Sequence, residues 1–400
     1  MNLHFKRKLF LILLTLFFFL YKDKKFLKSP IEIIISEDLS NRYQKYWVGG
    51  KYTIHFKKIP DDIRDNIILR LSNYKKAELF KNNILMKSSG RECLIVDIKK
   101  NISTFCFNIL DTPDLKFNEK NPLKIETNNI KQLDLVTYDY PKKFIQFKSN
   151  HPEIINVYNN GTIIGIRPGN AIITAFGLDK KYIKIKVLSI SNNGFLRNYS
   201  LNKFNISQYK NIMIVAHPDD ETLWGGADLF KQKYFVVCIT NGYNYARSND
   251  FKEILKLTKN GGIIFNYPDA QDSITDNWEE YKNGILKDLF AILNYKQWDK
   301  IVTHGPDGTT GHYQHKKTCE FVTLIVKKIN QFKKLYYFAK FYKKNEIPKY
   351  LPRITDNDLK NKIKAISLYK TVKKNIYRFW FHMLPFEKFI LASEWKESES

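Results

Sequence analysis

Residues 211–221 read NIMIVAHPDDE, in which the apolar run IMIVA is followed at once by polar and acidic residues. A run of this kind is typical of a buried strand in a parallel sheet. His217, Asp219 and Asp220 would then emerge at the carboxyl end of that strand, which is where open α/β sheets bind ligands. The stretch therefore indicates both the fold class of the C-terminal half and the place where a ligand would bind.

The same alternation of apolar runs and longer amphipathic stretches continues towards the C-terminus. Further apolar runs follow as YFVVCIT at 234–240, IIFNY at 263–267, DKIVTH at 299–304 and LYYFA at 335–339. Amphipathic stretches separate them, and we expect helices from about Asn277 and from about His312. Strands that alternate with helices are typical of a parallel α/β sheet. We therefore expect residues 205–400 to form a three-layer, Rossmann-like α/β domain.

The chain between about residues 31 and 191 has a different pattern. Short β-branched and aromatic runs, divided by turn residues, lie at 31–35, 51–56, 93–98 and 102–108. Such runs predict an all-β region. We expect a multi-domain protein with β-rich modules, built as sandwiches, at 29–128 and 129–191.

Two of the four cysteines suggest a contact across strands. Cys93 and Cys106 flank a predicted hairpin turn near residues 99–101, so their side chains could face each other. They would form one disulfide in an oxidising compartment, and they are equally explicable as single core thiols. Four cysteines without a C-x-x-C pair exclude a disulfide scaffold and a zinc ribbon.

Composition excludes wholesale disorder and argues against nucleic acid as a partner. Hydrophobic residues make up 44% of the 400-residue chain, which is enough to build real cores. The net charge of +26 comes mainly from lysines spread along the chain, not from arginines clustered on one element. We therefore predict no nucleic-acid partner and a solvated basic surface. Attraction to anionic lipids or glycans is the alternative.

Residues 9–21, LFLILLTLFFFLY, form an almost uninterrupted apolar run behind the basic residues 6–8. A run of about 13 residues is short for a full membrane span and suits the core of a signal peptide. No small residues follow at cleavage-site spacing, since Lys22 and Asp23 come next. We therefore expect residues 1–28 to be an uncleaved single-pass membrane anchor, with the rest of the chain on the exoplasmic side. A cleaved signal peptide, which would leave a secreted protein, is the alternative.

Two clusters of histidine and aspartate define a candidate metal site. His217 and Asp220 offer two ligands from one tight turn, and a hydrolytic zinc site needs a third ligand and an open position. His312 and His315 follow a later strand, and their spacing at a helix start places both rings on nearly one face. Asp219 is left over, and a carboxylate beside a metal suits a general base. A lone histidine in a loop is usually solvated, but four of the eight histidines fall at these two strand ends.

Residues 149–175, SNHPEIINVYNNGTIIGIRPGNAIITA, resemble the bacterial immunoglobulin-like domain family. The resemblance rests on an Asn-Gly turn at 160–161 and an Arg-Pro-Gly turn at 167–169, with alternating isoleucines between them. It spans about residues 131–188, and its motifs specify turns, not chemistry. It implies a module that acts as a spacer or as an arm that contacts glycans.

The C-terminal half carries the motifs of a hydrolase family. AHPDDE at 216–221, TNG at 240–242, YPD at 267–269 and GHYQH at 311–315 occur in that order. Together they resemble the zinc-dependent LmbE-like or PIG-L deacetylases, which include N-acetylglucosaminyl-phosphatidylinositol de-N-acetylase. The similarity spans about residues 211–391, and its last part, at 362–369 and 386–391, resembles a late helix and a Glu-x-Phe segment of that family.

By position, the resemblance implies a role for each residue of the two clusters. His217, Asp220 and His315 would bind Zn²⁺. Asp219 would be the general base. His312 would polarise the substrate carbonyl or protonate the collapsing intermediate.

Further residues are less sharply placed by the resemblance. Arg247 and Asp269 look like the family's sugar-contacting arginine and aspartate, and a plain surface role suits Arg247 equally well. His304 and Trp224 lie near the site by sequence order only, and we expect a packing role for Trp224. Tyr-Gln at 313–314 departs from the Pro-Asp or Pro-Gln that is frequent in the family. Any carboxylate partner for the first histidine of GHYQH therefore stays open.

These expectations define a zinc-dependent N-deacetylase. Its substrate would be an N-acetylglucosamine-type sugar on a glycan or glycolipid, for example N-acetylglucosaminyl-phosphatidylinositol, and its products acetate and a free amine. One alternative is deacetylation of a soluble amino-sugar conjugate, which the predicted anchor argues against. Another is a surface glycan-binding protein with an inactive hydrolase domain, which the complete ligand set argues against.

Overall fold

The computed structural model of the chain describes residues 15–16, 31–36, 45–57, 59, 64–98, 100–196 and 198–396. Apart from residues 15 and 16, the apolar run at 9–21 lies outside this part of the chain, so the predicted anchor stays a prediction. In the described ranges, no helix combines the length and the apolar character that a membrane crossing requires.

The strands up to residue 110 form two sheets that share one hydrophobic core. They are β1 Thr15–Leu16, β2 Ile31–Ser36, β3 Tyr46–Trp47, β4 Lys51–Lys57, β5 Ile67–Leu71, β6 Ala77–Phe80, β7 Asn83–Met86, β8 Gly90–Ile98 and β9 Asn101–Leu110. One sheet has the order β1-β2-β4-β7-β6 and the other β3-β9-β8-β5. Ile54 of β4 and Val96 of β8, one from each sheet, belong to the same core. This region is therefore mostly strand, as the run pattern predicts.

Cys93 and Cys106 occupy paired positions on β8 and β9 and form a disulfide. Their Cα atoms are 4.0 Å apart. Ile98 pairs with Asn101 in the same ladder, so the expected facing of the two cysteines is confirmed.

The next nine strands form a second strand-rich unit. They are β10 Lys116–Phe117, β11 Leu123–Glu126, β12 Ile130–Gln132, β13 Leu135–Val136, β14 Gln146–Ser149, β15 Ile155–Val157, β16 Thr162–Gly165, β17 Gly169–Phe176 and β18 Tyr182–Ile190. Their sheets have the orders β11-β18-β17-β14, β12-β16-β15 and β10-β13. The turn at Asn160 and Gly161 joins β15 to β16, and Gly161 has a φ of 84°, which favours glycine.

The first strands of this unit lie before residue 128, where we expected the first module to end. β11 pairs in parallel with β18, with Leu123 opposite Val187. Phe117 of β10 packs in the same core as Val187. Residues 115–126 therefore group with the strands that follow them. Pairing between distant segments decides this grouping, and the local strand pattern does not encode it.

The C-terminal half forms a six-stranded sheet with helices between its strands. The strands of this half are β19 Asn211–Val215, β20 Tyr234–Thr240, β21 Gly261–Tyr267, β22 Ala270–Gln271, β23 Ile274–Thr275, β24 Lys300–Thr303, β25 Leu335–Phe338 and β26 Phe389–Leu391, of which β22 and β23 lie outside the six-stranded sheet. The helices are α1 Asp220–Lys231, α2 Tyr245–Thr258, α3 Lys282–Leu293, α4 Tyr313–Lys328, α5 Asp356–Leu368 and α6 Lys373–Phe379. Short 3-10 helices lie at Lys142–Phe144, Asn198–Phe204, Ile206–Gln208, Phe332–Lys334, Phe381–Met383 and Ala392–Glu394.

The order of this sheet is β21-β20-β19-β24-β25-β26, and β22 pairs with β23 in a separate hairpin. Its pairings are parallel up to β25, whereas β26 runs antiparallel to β25. From β19 the chain continues to β20 and β21 on one side and returns to β24 on the other. At such a switch point, the loops at the carboxyl ends of neighbouring strands diverge and leave a crevice.

Hydrophobic cores lie against both faces of the sheet. Side chains alternate along β19, so that Ile212 and Ile214 pack with α3 and α4, whereas Met213 and Val215 pack with α1, α2, α5 and α6. A strand covered on both faces is apolar on both sides, which explains the uninterrupted apolar runs of the sequence.

One helix begins later than predicted. The helix expected from about Asn277 is α3, which begins at Lys282. The Asp276 carboxylate accepts a hydrogen bond from the backbone N–H of Trp278 at 2.7 Å and holds this segment in turns. The helix expected from about His312 is α4, of which His312 is the N-cap.

Candidate active site

Residues from four strand ends meet at the switch point. His217 comes two residues after β19, Asn241 directly after β20, Asp269 two residues after β21 and His304 directly after β24. The start of α4 adds the two histidines of GHYQH. All seven residues that the sequence singled out for the site lie in this cluster.

Three of the predicted ligand atoms form a nearly equilateral triangle. His217 Nδ1 lies 3.1 Å from His315 Nε2 and 3.3 Å from Asp220 Oδ2. His315 Nε2 lies 3.3 Å from Asp220 Oδ2, and all three side chains are buried. Ligand atoms at about 2.0–2.1 Å from a tetrahedral metal are separated by about 3.3 Å. The residues present therefore fit a four-coordinate metal ion with one open position.

Two overlapping groups of candidate ligand atoms occur at the site. His217, His312 and His315 form one group, and Asp220, His304 and His315 form the other, with the ligand atoms of each group within 4.8 Å of one another. His315 belongs to both groups. The hydrogen bonds around each ring decide which nitrogen remains available to a metal.

His315 presents its Nε2 to the triangle. Its Nδ1 donates a hydrogen bond to the carbonyl of Gly308 at 3.0 Å, which fixes the orientation of the ring. Burial lowers the pKa of His315 to about 4, so the ring is neutral at neutral pH. A neutral imidazole whose second nitrogen is held by a carbonyl is the form that binds metals.

Gln314 orients His217, and this residue was missed as a part of the site. Its Oε1 accepts a hydrogen bond from His217 Nε2 at 2.8 Å, which leaves His217 Nδ1 for the triangle. Its Nε2 donates to the carbonyls of Pro268, Asp269 and Asp276 at 3.2, 2.9 and 2.9 Å. The available signal was a glutamine between two histidines at a helix start. Of the pair at 313–314, Gln314 therefore acts on His217 of the first histidine cluster.

Opposite charges surround the ligand triangle. Burial by itself would lower the pKa of His217, but hydrogen bonds to the Asp220 and Asp269 carboxylates raise it well above its usual value. Burial by itself would raise the pKa of Asp220, but the neighbouring rings of His315, His304 and His217 hold it well below its usual range. A divalent cation would replace the positive charge of the proton on His217. Metal binding is therefore expected to release a proton.

His304 lies inside the site, which corrects the expectation that only sequence order brings it near. Its ring stacks on that of His315, with centroids 3.9 Å apart and an interplanar angle of 11°. Its Nε2 accepts a hydrogen bond from the backbone N–H of Ala216 at 3.1 Å and lies 3.4 Å from Asp220 Oδ2. Because the N–H of Ala216 occupies the lone pair of Nε2, that nitrogen is not available to a metal. His304 therefore supports the triangle through its contacts with His315 and Asp220. Burial lowers its pKa.

Asp219 has a strained backbone, with φ 136° and ψ −27°. Its carbonyl accepts a hydrogen bond from the N–H of Leu223 at 2.8 Å, and α1 begins at the next residue. Its carboxylate accepts from Arg247 Nη2 at 3.3 Å. Burial raises the pKa of Asp219 to about 8, although the charge of Arg247 opposes the rise. Such strain costs about 1–3 kcal/mol and is typical of functional sites. Here it separates two neighbouring aspartates, one in the triangle and one against Arg247.

His312 lies beside the triangle and contacts the rings of His217 and His315. Its ring lies edge-on to that of His217, with centroids 4.8 Å apart. Its Nδ1 accepts a hydrogen bond from the backbone N–H of Gln314 at 3.3 Å, so the proton of the neutral ring lies on Nε2. Burial, together with the neighbouring His217 and His315, lowers the pKa of His312 to about 4. The ring is therefore a neutral hydrogen-bond donor.

Arg247 and Asp269 form the wall beside the triangle. Arg247 Nη2 donates to the carbonyl of Pro218 at 2.6 Å, and Nη1 lies 3.9 Å from Asp269 Oδ2. Asp269 accepts from Asn241 Nδ2 at 2.9 Å, and its Oδ1 lies 3.4 Å from His217 Nε2. Burial by itself would raise the pKa of Asp269, but these partners hold it well below its usual range. Arg247 is thus largely buried at the site, not placed on the open surface.

The segments at 362–369 and 386–391, which resemble the last part of the family's sequence, hold α1 in place. The Tyr369 hydroxyl donates to Glu221 Oε1, next to the metal triangle. Lys362 is fully buried and pairs with Glu387 at 3.1 Å, and Glu387 accepts from two backbone N–H groups of α1 at 2.9 and 2.8 Å. Trp224 is buried in the adjoining core, as expected.

Comparisons with known proteins agree with the resemblance. Residues 212–326 match the family described as PIG-L: GlcNAc-PI de-N-acetylase. The uncharacterized protein L374 of Acanthamoeba polyphaga mimivirus is 30% identical over 197 residues, which cover 44% of this chain and 80% of that protein.

Two solved deacetylases were also found, at low similarity. The A40926 pseudoaglycone deacetylase Dbv21 is 16% identical, with a TM-score of 0.33 over 42% of this chain and 83% of its own. A deacetylase of the teicoplanin biosynthesis pathway is 12% identical, with a TM-score of 0.34 over 42% of this chain and 86% of its own. The match at 212–326 contains every residue that the sequence assigned to the site. From the family match and the 30% identical relative, the chain belongs to the PIG-L family of de-N-acetylases.

Proposed function

We propose that this protein is a zinc-dependent hydrolase that removes the N-acetyl group from an N-acetylglucosamine-type sugar and releases acetate and a free amine. The observation that carries the proposal is the buried triangle of His217, Asp220 and His315, with the carboxylate of Asp219 beside it. Two imidazoles and one carboxylate suit Zn²⁺ and leave the open position that a hydrolytic site requires. When bound, zinc would supply a Lewis acid for the amide carbonyl and would lower the pKa of water.

Asp219 is the proposed general base. Its pKa of about 8 applies to the metal-free site, and a divalent cation beside it would lower that pKa and favour the ionised carboxylate that a base requires. Arg247 holds one oxygen of its carboxylate at 3.3 Å, so the group is fixed in place while its neighbour Asp220 belongs to the triangle. It takes a proton from the attacking water and delivers it to the nitrogen as the C–N bond breaks. A positioned general base contributes about 10²–10⁴-fold to the rate.

His312 is the proposed donor to the amide oxygen. In the neutral ring its Nε2 carries the proton, because Nδ1 accepts from the backbone N–H of Gln314. A fixed donor stabilises negative charge that develops on the oxygen during attack. The burial that lowers the pKa of His312 keeps this donor neutral, so it does not add a positive charge next to a cation.

Arg247 and Asp269 are the proposed sugar-binding pair. Arg247 Nε is buried without a hydrogen-bond partner among the described residues, so it has a donor left for a ligand. Sugar hydroxyls accept from guanidinium groups and donate to carboxylates. The pair therefore offers complementary partners to adjacent hydroxyls next to the reacting amide.

For the whole chain we propose a glycan or glycolipid substrate, met on the exoplasmic side of a membrane to which residues 1–28 anchor the protein. The disulfide of Cys93 and Cys106 supports an oxidising compartment. We divide the rest into β-sandwich modules at about 31–110 and 115–190 and a Rossmann-like three-layer domain at 205–400. The strand order and the two hydrophobic cores support the last assignment.

The test is acetate release by the purified full-length chain from a panel of N-acetylated sugars. The panel would contain N-acetylglucosamine, chitooligosaccharides and N-acetylglucosaminyl-phosphatidylinositol, with an O-acetylated sugar as the specificity control. We expect release from at least one N-acetylated member and none from the control. Sugar binding without acetate release, by protein loaded with zinc, would instead identify an inactive glycan-binding protein.

A further inference from the structure

In the second strand-rich unit, β10 to β18, one arginine contacts a loop of the active site. This unit is called the strand-rich unit below. Arg167 lies in the turn between β16 and β17, and its guanidinium carbon is 3.8 Å from the centroid of the Tyr243 ring. Tyr243 lies three residues after β20, in the loop that also carries Asn241. Asn241 in turn donates to the Asp269 carboxylate at 2.9 Å. Arg167 is therefore two contacts from the proposed sugar-binding pair.

Tyr243 contacts the site as well as the strand-rich unit. Arg167, Asp269 and Arg247 all act on the pKa of the Tyr243 hydroxyl, which places the hydroxyl near the proposed sugar-binding pair. Burial raises the pKa of Tyr243, so its hydroxyl stays protonated at neutral pH. A protonated tyrosine beside Asp269 and Arg247 has an apolar ring and a polar group, and both can contact a sugar.

A second contact braces the next loop of the site. The backbone N–H of Asn170 donates to Gln271 Oε1 at 3.1 Å, and Gln271 Nε2 donates to the carbonyl of Asn170 at 2.7 Å. Gln271 lies in β22, two residues after Asp269. Nearby, His151 Nε2 lies 3.6 Å from Asp272 Oδ2. Loops that follow β20 and β21 are thus both held by the same side of the strand-rich unit.

The guanidinium of Arg167 is itself fixed. Its side chain is only 15% exposed, and its Nη2 lies 3.4 Å from Glu153 Oε1. A planar guanidinium stacks on an aromatic face in a way that a lysine ammonium does not. The ring of Tyr243 is therefore held by a partner that is specific in shape as well as in charge.

We propose that Arg167 is a positioning residue of the active site, which holds Tyr243 in the wall of the sugar pocket, and that the strand-rich unit is thereby part of the substrate-binding site. This inference rests on the proposed function and goes beyond a spacer or a remote glycan-contacting arm. Arg167 acts through Tyr243 and does not itself touch the reacting atoms.

The test compares Arg167→Ala, Arg167→Lys and a matched control in the full-length, zinc-loaded chain. The control is Lys124→Ala, which removes a 2.6 Å ion pair to Glu280 that also joins the strand-rich unit to the C-terminal half. Acetate release is measured over a range of concentrations of the substrate that the wild type uses, and zinc content is measured in parallel.

We expect the KM of Arg167→Ala to rise about 3- to 30-fold, the range set by a cation–π contact. We expect kcat to stay within about twofold, because the triangle and Asp219 are untouched. Arg167→Lys should show most of the rise in KM, since it keeps the charge but loses the planar stack. Lys124→Ala should keep the wild-type KM, and all variants should hold the same zinc.

Several results would overturn the inference. An unchanged KM in both Arg167 variants, with an active wild type, would remove it and leave the proposed function standing. An equal rise in KM in Lys124→Ala would show that the variants only loosen the contact between the two parts. Loss of zinc in Arg167→Ala would show a general structural role. A wild type that releases no acetate from any panel member would remove the proposed function, and this inference with it.

Discussion

Replacing Gln314 by leucine should weaken zinc binding although Gln314 is not a ligand. The change removes the acceptor at 2.8 Å that fixes His217 Nε2, so the ring of His217 loses its preferred tautomer and orientation. Loss of such a supporting hydrogen bond costs about 10- to 100-fold in metal affinity, or about 1.4–2.7 kcal/mol. The change also removes the donor to three backbone carbonyls, which should lower the free energy of unfolding by about 1–3 kcal/mol.

Gln331→Leu is a matched control for this substitution. Gln331 is also buried, its Oε1 accepts from the N–H of Trp298 at 2.8 Å, and its Nε2 donates to the carbonyls of Leu293 and Lys296 at 3.2 and 3.0 Å. It lies three residues beyond the C-terminus of α4, whereas Gln314 lies in the first turn. Its replacement should cost similar stability without touching the triangle.

The assay has two readouts for each protein. Zinc affinity is measured by competition with a chelator of known affinity, and stability by urea unfolding of the metal-free protein. We expect both variants to lose stability and only Gln314→Leu to lose zinc affinity. Wild-type zinc affinity in Gln314→Leu, or an equal loss in Gln331→Leu, would refute the assignment of Gln314 as the residue that orients His217.

Two further predictions concern the neighbouring aspartates and the N-terminus. Asp219→Asn should keep zinc and lose turnover by at least about 100-fold, whereas Asp220→Asn should lose zinc affinity first and recover part of its activity in excess zinc. Zinc content and acetate release are measured for each variant. Near-wild-type turnover in both variants would show that the two aspartates only cap the following helix. Full-length protein should partition with membranes and a chain that begins near Lys28 should not, as measured by sedimentation with vesicles. Recovery of a mature N-terminus beyond residue 21 would replace the anchor with a cleaved signal peptide.

Local patterns were enough to predict the strands of the sheet and to bring His217, Asp220 and the two histidines of GHYQH to one edge of it, whereas the choice of His315 as the third ligand came from the resemblance to the deacetylase family. The run before His217 is apolar because β19 is covered on both faces, so burial is visible in the sequence itself. The parallel order of β19 and β24 brings the ends of these strands together. Histidines and aspartates at those ends therefore meet, although about ninety positions separate them in the chain.

The supporting residues could not be predicted in the same way. Gln314 and His304 act through hydrogen bonds and ring contacts whose partners are set by packing, and a glutamine beside a histidine has no distinctive pattern. The contact of Arg167 with Tyr243 depends on how two separate parts of the chain pack together. The grouping of β11 with β18 depends on long-range strand pairing, which strand propensity does not determine.

The most direct test of the central claim is acetate release by one preparation of the full-length chain before and after removal of its metal. The purified protein should contain about one zinc per chain, lose acetate release when the zinc is removed by a chelator, and recover it when zinc is restored. His217→Ala, treated in parallel, should hold little zinc and should not recover. Acetate release that persists at the full rate in metal-free protein would contradict the account.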